Sequence, residues 1–223
     1  MNNRIKTPVY VPARIIKNRY GKNTGYFASK KMGRMIQYES LLERDIIYIL
    51  EYDKNISKYF EQPVEIKCMY FGVIRKHYPD FKCVFADGHT ELWEAKPYNK
   101  LEDPDVKKNI YLGESYCQQR GWIYKVITDK QIYSNSLVDN IQFLTYYRKQ
   151  PECSDEIIRQ IVQSVVLEEF TTISKILKFL VNVKSEILLQ CVYYLIYTQV
   201  LHVDLTQALN FESVIALSKN FRR

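Results

Sequence analysis

Two segments, His77-Tyr78-Pro79-Asp80-Phe81 and Glu91-Leu92-Trp93-Glu94-Ala95-Lys96-Pro97, flank an Asp87-Gly88 turn signal. The alternation over 81–85 and over the second segment predicts two strands, and Asp-Gly folds them into an antiparallel hairpin. Side chains of a strand alternate between faces, so Glu94 and Lys96 share a face with Ala95 between them. Asp80 precedes the first strand and is brought to the same end of the sheet. Two carboxylates and an ammonium therefore converge. Carboxylates are hard oxygen ligands of the kind magnesium takes, and a lysine beside them can orient or deprotonate an attacking water. That combination suits metal-assisted hydrolysis of a phosphodiester.

The surrounding pattern supplies a frame. Leu42, Ile46, Ile49 and Leu50 recur at helical spacing and predict a helix over 40–52. Glu43 falls on its apolar side, where a carboxylate needs a partner, a proton or a metal. Ser40-Leu41-Leu42-Glu43 is equally a capping box, with Glu43 bonding back to the Ser40 amide, and both readings stand. Strands are predicted at 64–71, 78–85 and 90–96. A helix then opens at Pro104 behind Asp103 and stops near Gly121, followed by a strand at 122–128 and helix over 129–147. The order helix, three strands, helix, strand is the αβββαβ core of restriction-endonuclease-like nucleases, an α/β fold. The pattern loosens around Arg148-Lys149-Gln150-Pro151-Glu152. We therefore expect an arm over 1–34, a nuclease domain over 35–150 and a second domain over 151–223. Helices at 156–168, 172–180 and 185–199, followed by extended pieces at 200–205 and 211–217, suggest an α-rich winged helix.

Charge is unevenly placed. The net charge is +7, yet residues 1–34 hold nine Lys or Arg and no acidic residue, leaving 23 basic and 25 acidic side chains beyond them. Arg14, Lys17, Arg19, Lys22, Lys30, Lys31 and Arg34, interleaved with Tyr20, Tyr26 and Phe27, fit an arm that binds DNA phosphates by counterion release. Residues 151–223 carry seven basic and eight acidic side chains. The third helix there presents Leu188, Leu189, Val192, Leu195 and Ile196, better suited to a protein partner or to structural support than to reading a duplex. Five scattered cysteines form no Cys-x-x-Cys pair and, with three histidines, no zinc set. His77, near Asp80, reads as a surface or hydrogen-bonded residue. Neither a secretory leader nor an apolar run of membrane-spanning length is present, so a reduced, cytoplasmic protein is expected.

The chain resembles TnsA, the endonuclease subunit of heteromeric bacterial cut-and-paste transposases, including those of CRISPR-associated transposons. The resemblance rests on Ser29-Lys30-Lys31-Met32-Gly33-Arg34, Ser40-Leu41-Leu42-Glu43, Glu61-Gln62-Pro63, Pro79-Asp80-Phe81, Asp87-Gly88, Glu94-Ala95-Lys96-Pro97, Tyr116-Cys117-Gln118-Gln119 and Thr128-Asp129-Lys130, in that order. It implies a catalytic set of Glu43, Asp80, Glu94 and Lys96. It also implies two Mg²⁺ (or Mn²⁺) ions on Asp80, Glu94, the Ala95 carbonyl and Glu43. Some relatives carry Gln where this chain has Glu94. The implied activity is cutting at the 5′ ends of a transposon, with a TnsB-like transposase acting on the 3′ ends and a TnsC-like AAA+ regulator docking on the C-terminal domain. A stand-alone restriction or repair nuclease of the same fold, and a non-catalytic transposition adaptor, are the alternatives.

Overall fold

The structure, a computed structural model, describes residues 10–14, 23–168 and 171–219. The chain divides into two compact units, Met1–Gln131 and Ile132–Arg223. The first opens with β1 (Gly25–Ser29), β2 (Arg34–Tyr38) and helix α1 (Leu41–Tyr52). Strands β3 (Ile56–Glu61), β4 (Ile66–Tyr70), β5 (Val73–His77), β6 (Phe81–Phe85) and β7 (Thr90–Lys96) follow. Helix α2 (Pro104–Gln118), strand β8 (Ile123–Thr128) and the short helix α3 (Asp129–Ile132) complete the run.

The central sheet has the order β3-β6-β7-β8. Its first two pairings are antiparallel and the last is parallel, with Phe81 opposite Trp93 and Glu94 opposite Val126. A parallel neighbour needs a crossover, and α2 supplies it. Leu112 and Cys117 of that helix are buried with Ile66 of β4 and Leu92 of β7. Ile46, Ile47 and Leu50 of α1 are buried as their spacing demands. Its carboxyl end is capped by Lys31, whose ammonium donates to the carbonyl of Asp53 at 2.6 Å and to that of Leu50.

Three expectations are corrected here. The first strand of the sheet is β3, not the segment 64–71. β4 pairs instead with β5 in a separate hairpin, Ile66 opposite His77. β3 hid in the sequence because its buried positions include Glu61, a charge made tolerable by the Arg34 guanidinium at 2.6 and 2.5 Å. Residues 25–34 are likewise not arm: β1 and β2 form a hairpin, closed where Gly33 takes φ +64°. Its turn is anchored on Glu51, which accepts from the Ser29 hydroxyl and the amides of Lys30 and Lys31. The single helix expected over 129–147 is two helices, broken at Ser134-Asn135-Ser136, where the Ser136 amide bonds the Thr206 carbonyl and the Asn135 side chain caps Leu137.

The second unit contains α4 (Leu137–Thr145), α5 (Asp155–Glu168), β9 (Thr171–Thr172), α6 (Ile173–Phe179), α7 (Ser185–Tyr197), β10 (Leu201–Val203) and β11 (Val214–Leu217). The strands form a sheet in the order β10-β11-β9. Helix α7 is central. Leu188, Val192, Leu195 and Ile196 are buried, and Tyr193 packs edge-on to Phe143 with ring centroids 5.0 Å apart. This unit begins near residue 132 rather than 151 because α4 belongs to it. The buried Asn140 side chain donates to the carbonyls of Leu205 and Gln207 at 2.8 and 2.7 Å. Among the described residues, no helix is long and apolar enough to cross a membrane.

Candidate active site

Asp80, Glu94 and Lys96 come together at the floor of a cleft of about 630 Å³ in the first unit. The register explains why. Phe81 pairs with Trp93, so Asp80 and Glu94 sit at the same end of the β6–β7 hairpin. The Ala95 amide donates to Asp80 Oδ2 at 2.8 Å, and the Gln62 side-chain amide reaches Asp80 Oδ1 at 3.3 Å. Gln62 is itself buried at φ +44°, just past the end of β3. Lys96 Nζ lies 2.6 Å from Glu94 Oε1, 4.0 Å from Asp80 Oδ2 and 3.1 Å from the Ala95 carbonyl. The three side chains predicted to converge do so.

Glu43 joins them through α1 and lines the same cleft. The capping reading of this residue is visible in its hydrogen bonds. Ser40 Oγ accepts from the Glu43 amide at 3.1 Å, as a cap should. The Glu43 carboxylate reaches back one residue further than a capping box, taking the Glu39 amide at 2.8 Å and the Ser40 hydroxyl at 3.1 Å. Both oxygens are thus engaged, although the carboxylate still faces Lys96 and Asp80 closely enough to be felt by them.

The charges explain the titration. Burial raises Asp80 well above the ordinary carboxylate range, and the charges of Glu94 and Glu43 push it further, against the pull of Lys96 and the Ala95 amide. Burial also raises Glu43, opposed by the Glu39 amide and Ser40 hydroxyl. For Glu94 burial acts upward too, but His77 and Lys96 outweigh it and leave the group below its usual value. Burial disfavours the Lys96 ammonium, yet the carboxylates of Asp80 and Glu94 win and raise it. Three carboxylates around one lysine leave the cluster short of positive charge.

His77 and Tyr124 were missed as site residues. His77 ends β5, is buried, and places Nε2 3.3 Å from Glu94 Oε2 and 3.1 Å from the Tyr124 hydroxyl. The first contact is an electrostatic approach rather than an aligned hydrogen bond, so Glu94 Oε2 is buried without a hydrogen-bond partner. Only the pairing of Ile66 with His77, invisible in the sequence, turns this side chain inward. Gln62 was equally opaque, a polar residue whose role depends on a left-handed backbone.

The donors present suit a hard divalent cation. Asp80, Glu94 and the Ala95 carbonyl offer oxygen only, Glu94 Oε2 is an orphaned buried acceptor, and the cluster is electrostatically short of a cation. Among the described residues, no three His, Cys, Asp or Glu side chains are already gathered closely enough to hold a metal ion. The ammonium of Lys96 meanwhile bonds two of the atoms concerned, Glu94 Oε1 and the Ala95 carbonyl oxygen.

Of the cations expected on DNA, Arg14 lines the cleft, paired with Glu39 at 2.8 Å and bonded to Gln62 at 3.2 Å. The charges of Lys31 and Arg34 are answered inside the protein, by the carboxyl end of α1 and by Glu61, so they serve the fold. Lys30 sits in the β1–β2 turn with its amide on Glu51. Lys17, Arg19 and Lys22 lie outside the described residues.

No curated protein matches the chain. Residues 53–129 match the model of the TnsA-like endonuclease N-terminal domain, a stretch that includes Asp80, Glu94 and Lys96 and begins after Glu43. The mixed sheet and the carboxylate–lysine cluster at the ends of β6 and β7 lie within the matched stretch, over which the chain is similar to the TnsA-like endonuclease N-terminal domain.

Proposed function

We propose that the chain is a divalent-metal-dependent DNA endonuclease, the transposase subunit that cuts at the 5′ ends of a transposon during cut-and-paste transposition. Its partners on this reading are double-stranded DNA at the transposon ends, a TnsB-like transposase and a TnsC-like AAA+ regulator. One observation carries it: a carboxylate pair and a lysine, buried yet open to a cleft, on a domain matched by a TnsA-like endonuclease model.

Mg²⁺ or Mn²⁺, on Asp80, Glu94 and the Ala95 carbonyl with a second ion near Glu43, would supply charge neutralisation and an acidified water. The chain's own residues do the positioning. The Ala95 amide and Gln62 fix the Asp80 carboxylate, and His77 with Tyr124 backs Glu94. Lys96 stands where its ammonium can orient the attacking water and share charge on the phosphate in the transition state. Arg14, at the cleft wall, is suited to a backbone phosphate. A 3′ oxygen leaves, giving a 5′-phosphate. From α5 onward the second unit runs helix, strand, helix, helix and a closing hairpin, which reads as a winged helix. Its near-neutral charge suits the ATPase better than DNA. The protein would work in the cytoplasm, at the nucleoid.

The test is strand-specific cleavage of a transposon-end duplex with the partner proteins present. Asp80→Ala and Lys96→Ala should each lower 5′-strand cutting about a hundredfold or more with the melting temperature retained. Unchanged cleavage would refute the assignment. Cutting of plain duplex by the chain alone would favour a stand-alone nuclease. Absence of Asp80-dependent metal binding by calorimetry would favour the adaptor.

A further inference from the structure

The β4–β5 hairpin ends in a turn that the fold itself does not explain. Tyr70 pairs with Val73, leaving Phe71 and Gly72 as a two-residue loop at φ +45° and +74°. Both central residues are left-handed, the turn type that selects Asn-Gly because a Cβ is disfavoured at the first position. A phenylalanine there incurs that steric cost and recovers little by burial: Phe71 is 90% exposed, touching only the edge of Tyr70 among the described rings. Strain held at an exposed position is a mark of function.

The rest of the hairpin agrees. Its inner face, Ile66, Cys68 and Tyr70, packs toward α2. On the outer face Met69 and Ile74 are cross-strand partners, 62% and 65% exposed. Lys67 and Lys76, also paired, share that face nearer the cleft. Glu65 bridges both lysines at 2.8 Å, so the pair keeps a net positive charge, while Arg75, opposite Cys68, stands on the other face. An apolar tip with a basic stem matches a duplex, whose phosphates take the stem and whose base steps accept Phe, Ile or Met wedges. The base of the hairpin is continuous with the cleft, which Lys76 and His77 line. Six residues of strand separate Phe71 from His77, roughly 20 Å at ~3.3 Å per residue. Laid along a duplex, that is about six base-pair steps.

We propose that the β4–β5 hairpin is a DNA-contacting wedge. Phe71 stacks into a base step about six pairs from the phosphate held at Asp80 and Glu94, while Lys67 and Lys76 follow the backbone between. This rests on the endonuclease reading above and adds where the substrate runs and what distorts it.

The test uses the full chain with calcium and a duplex carrying 2-aminopurine at every third step. Wild type should raise the fluorescence on binding, as an unstacked base does. Phe71→Ala and Phe71→Asn should abolish the rise and weaken binding about tenfold, within the range for one base–aromatic stack. Phe71→Asn should melt at or above the wild-type temperature, since asparagine suits the turn, which separates lost contact from lost fold. Duplex binding with no fluorescence change, unaltered by Phe71→Ala, would overturn the wedge and leave the nuclease reading intact. The same result with loss of a partner protein's binding would make the tip a protein contact. A wild-type chain that binds no duplex would sink both.

Discussion

Glu43 is where the two readings of one side chain can be separated by a single atom exchange. Its carboxylate holds the Glu39 amide and the Ser40 hydroxyl. At about 1 kcal/mol net per hydrogen bond, Glu43→Ala should lose about 2 kcal/mol, with the Glu39 amide left to find water. Glu43→Gln keeps the geometry: its amide oxygen can accept from Glu39, and its NH₂ can donate to Ser40 Oγ. It also removes a buried charge that faces Asp80, so its stability should equal or exceed that of wild type. Catalysis should respond differently. Both Glu43 oxygens are engaged in the cap, so its action on a bound ion would pass through water, where losing a carboxylate costs about 10–100-fold. Urea unfolding of the three proteins gives the first quantity, and single-turnover 5′-strand cleavage across a magnesium titration gives the second. Glu43→Gln cutting like wild type at every magnesium level would refute the catalytic role. Glu43→Gln as unstable as Glu43→Ala would refute the cap.

Two further outcomes follow from buried contacts. Because Asp80 is raised in the folded metal-free protein, ionising it costs stability. That cost is fully present above its raised value and disappears as pH falls toward the ordinary 3.8. Stability should therefore decline with rising pH across that window, and Asp80→Asn should flatten the decline; an identical pH profile by denaturant unfolding would contradict the burial argument. Gly113 lies inside α2, where alanine would ordinarily gain about 1 kcal/mol, but a Cβ there would run into the Tyr124 ring. The ring is tied to His77 through its hydroxyl, so overpacking at about 1–3 kcal/mol should win. Gly113→Ala is expected to lower the melting temperature and to slow cleavage by disturbing the support of Glu94; a higher melting temperature would reverse that sign.

Much was legible in the chain because it depends on local rules. Alternation and the Asp-Gly turn sufficed to bring Asp80, Glu94 and Lys96 to one end of a hairpin. Helical spacing placed α1, α2 and the three helices after residue 150 close to their observed bounds. What failed was partner choice. Strand β3 and hairpin β4–β5 compete for the same place in the order, and the sequence favoured the more apolar 64–71. The sheet instead took Ile56–Glu61, because Arg34 on a neighbouring hairpin neutralises Glu61. Arg34 and Lys31 looked like DNA contacts for the same reason: an isolated cation in a sequence shows its charge but not the acceptor that answers it.

The sequence by itself determined which side chains could do chemistry and that they would share a strand end, since period-two geometry is carried by each residue independently. Tertiary structure alone decided their surroundings: the burial that shifts Asp80, the Gln62 and Ala95 amides that hold it, and the inward turn of His77 beside Tyr124. Those effects depend on distances between segments far apart in the chain, and electrostatic and packing energies are set by such distances rather than by residue identity.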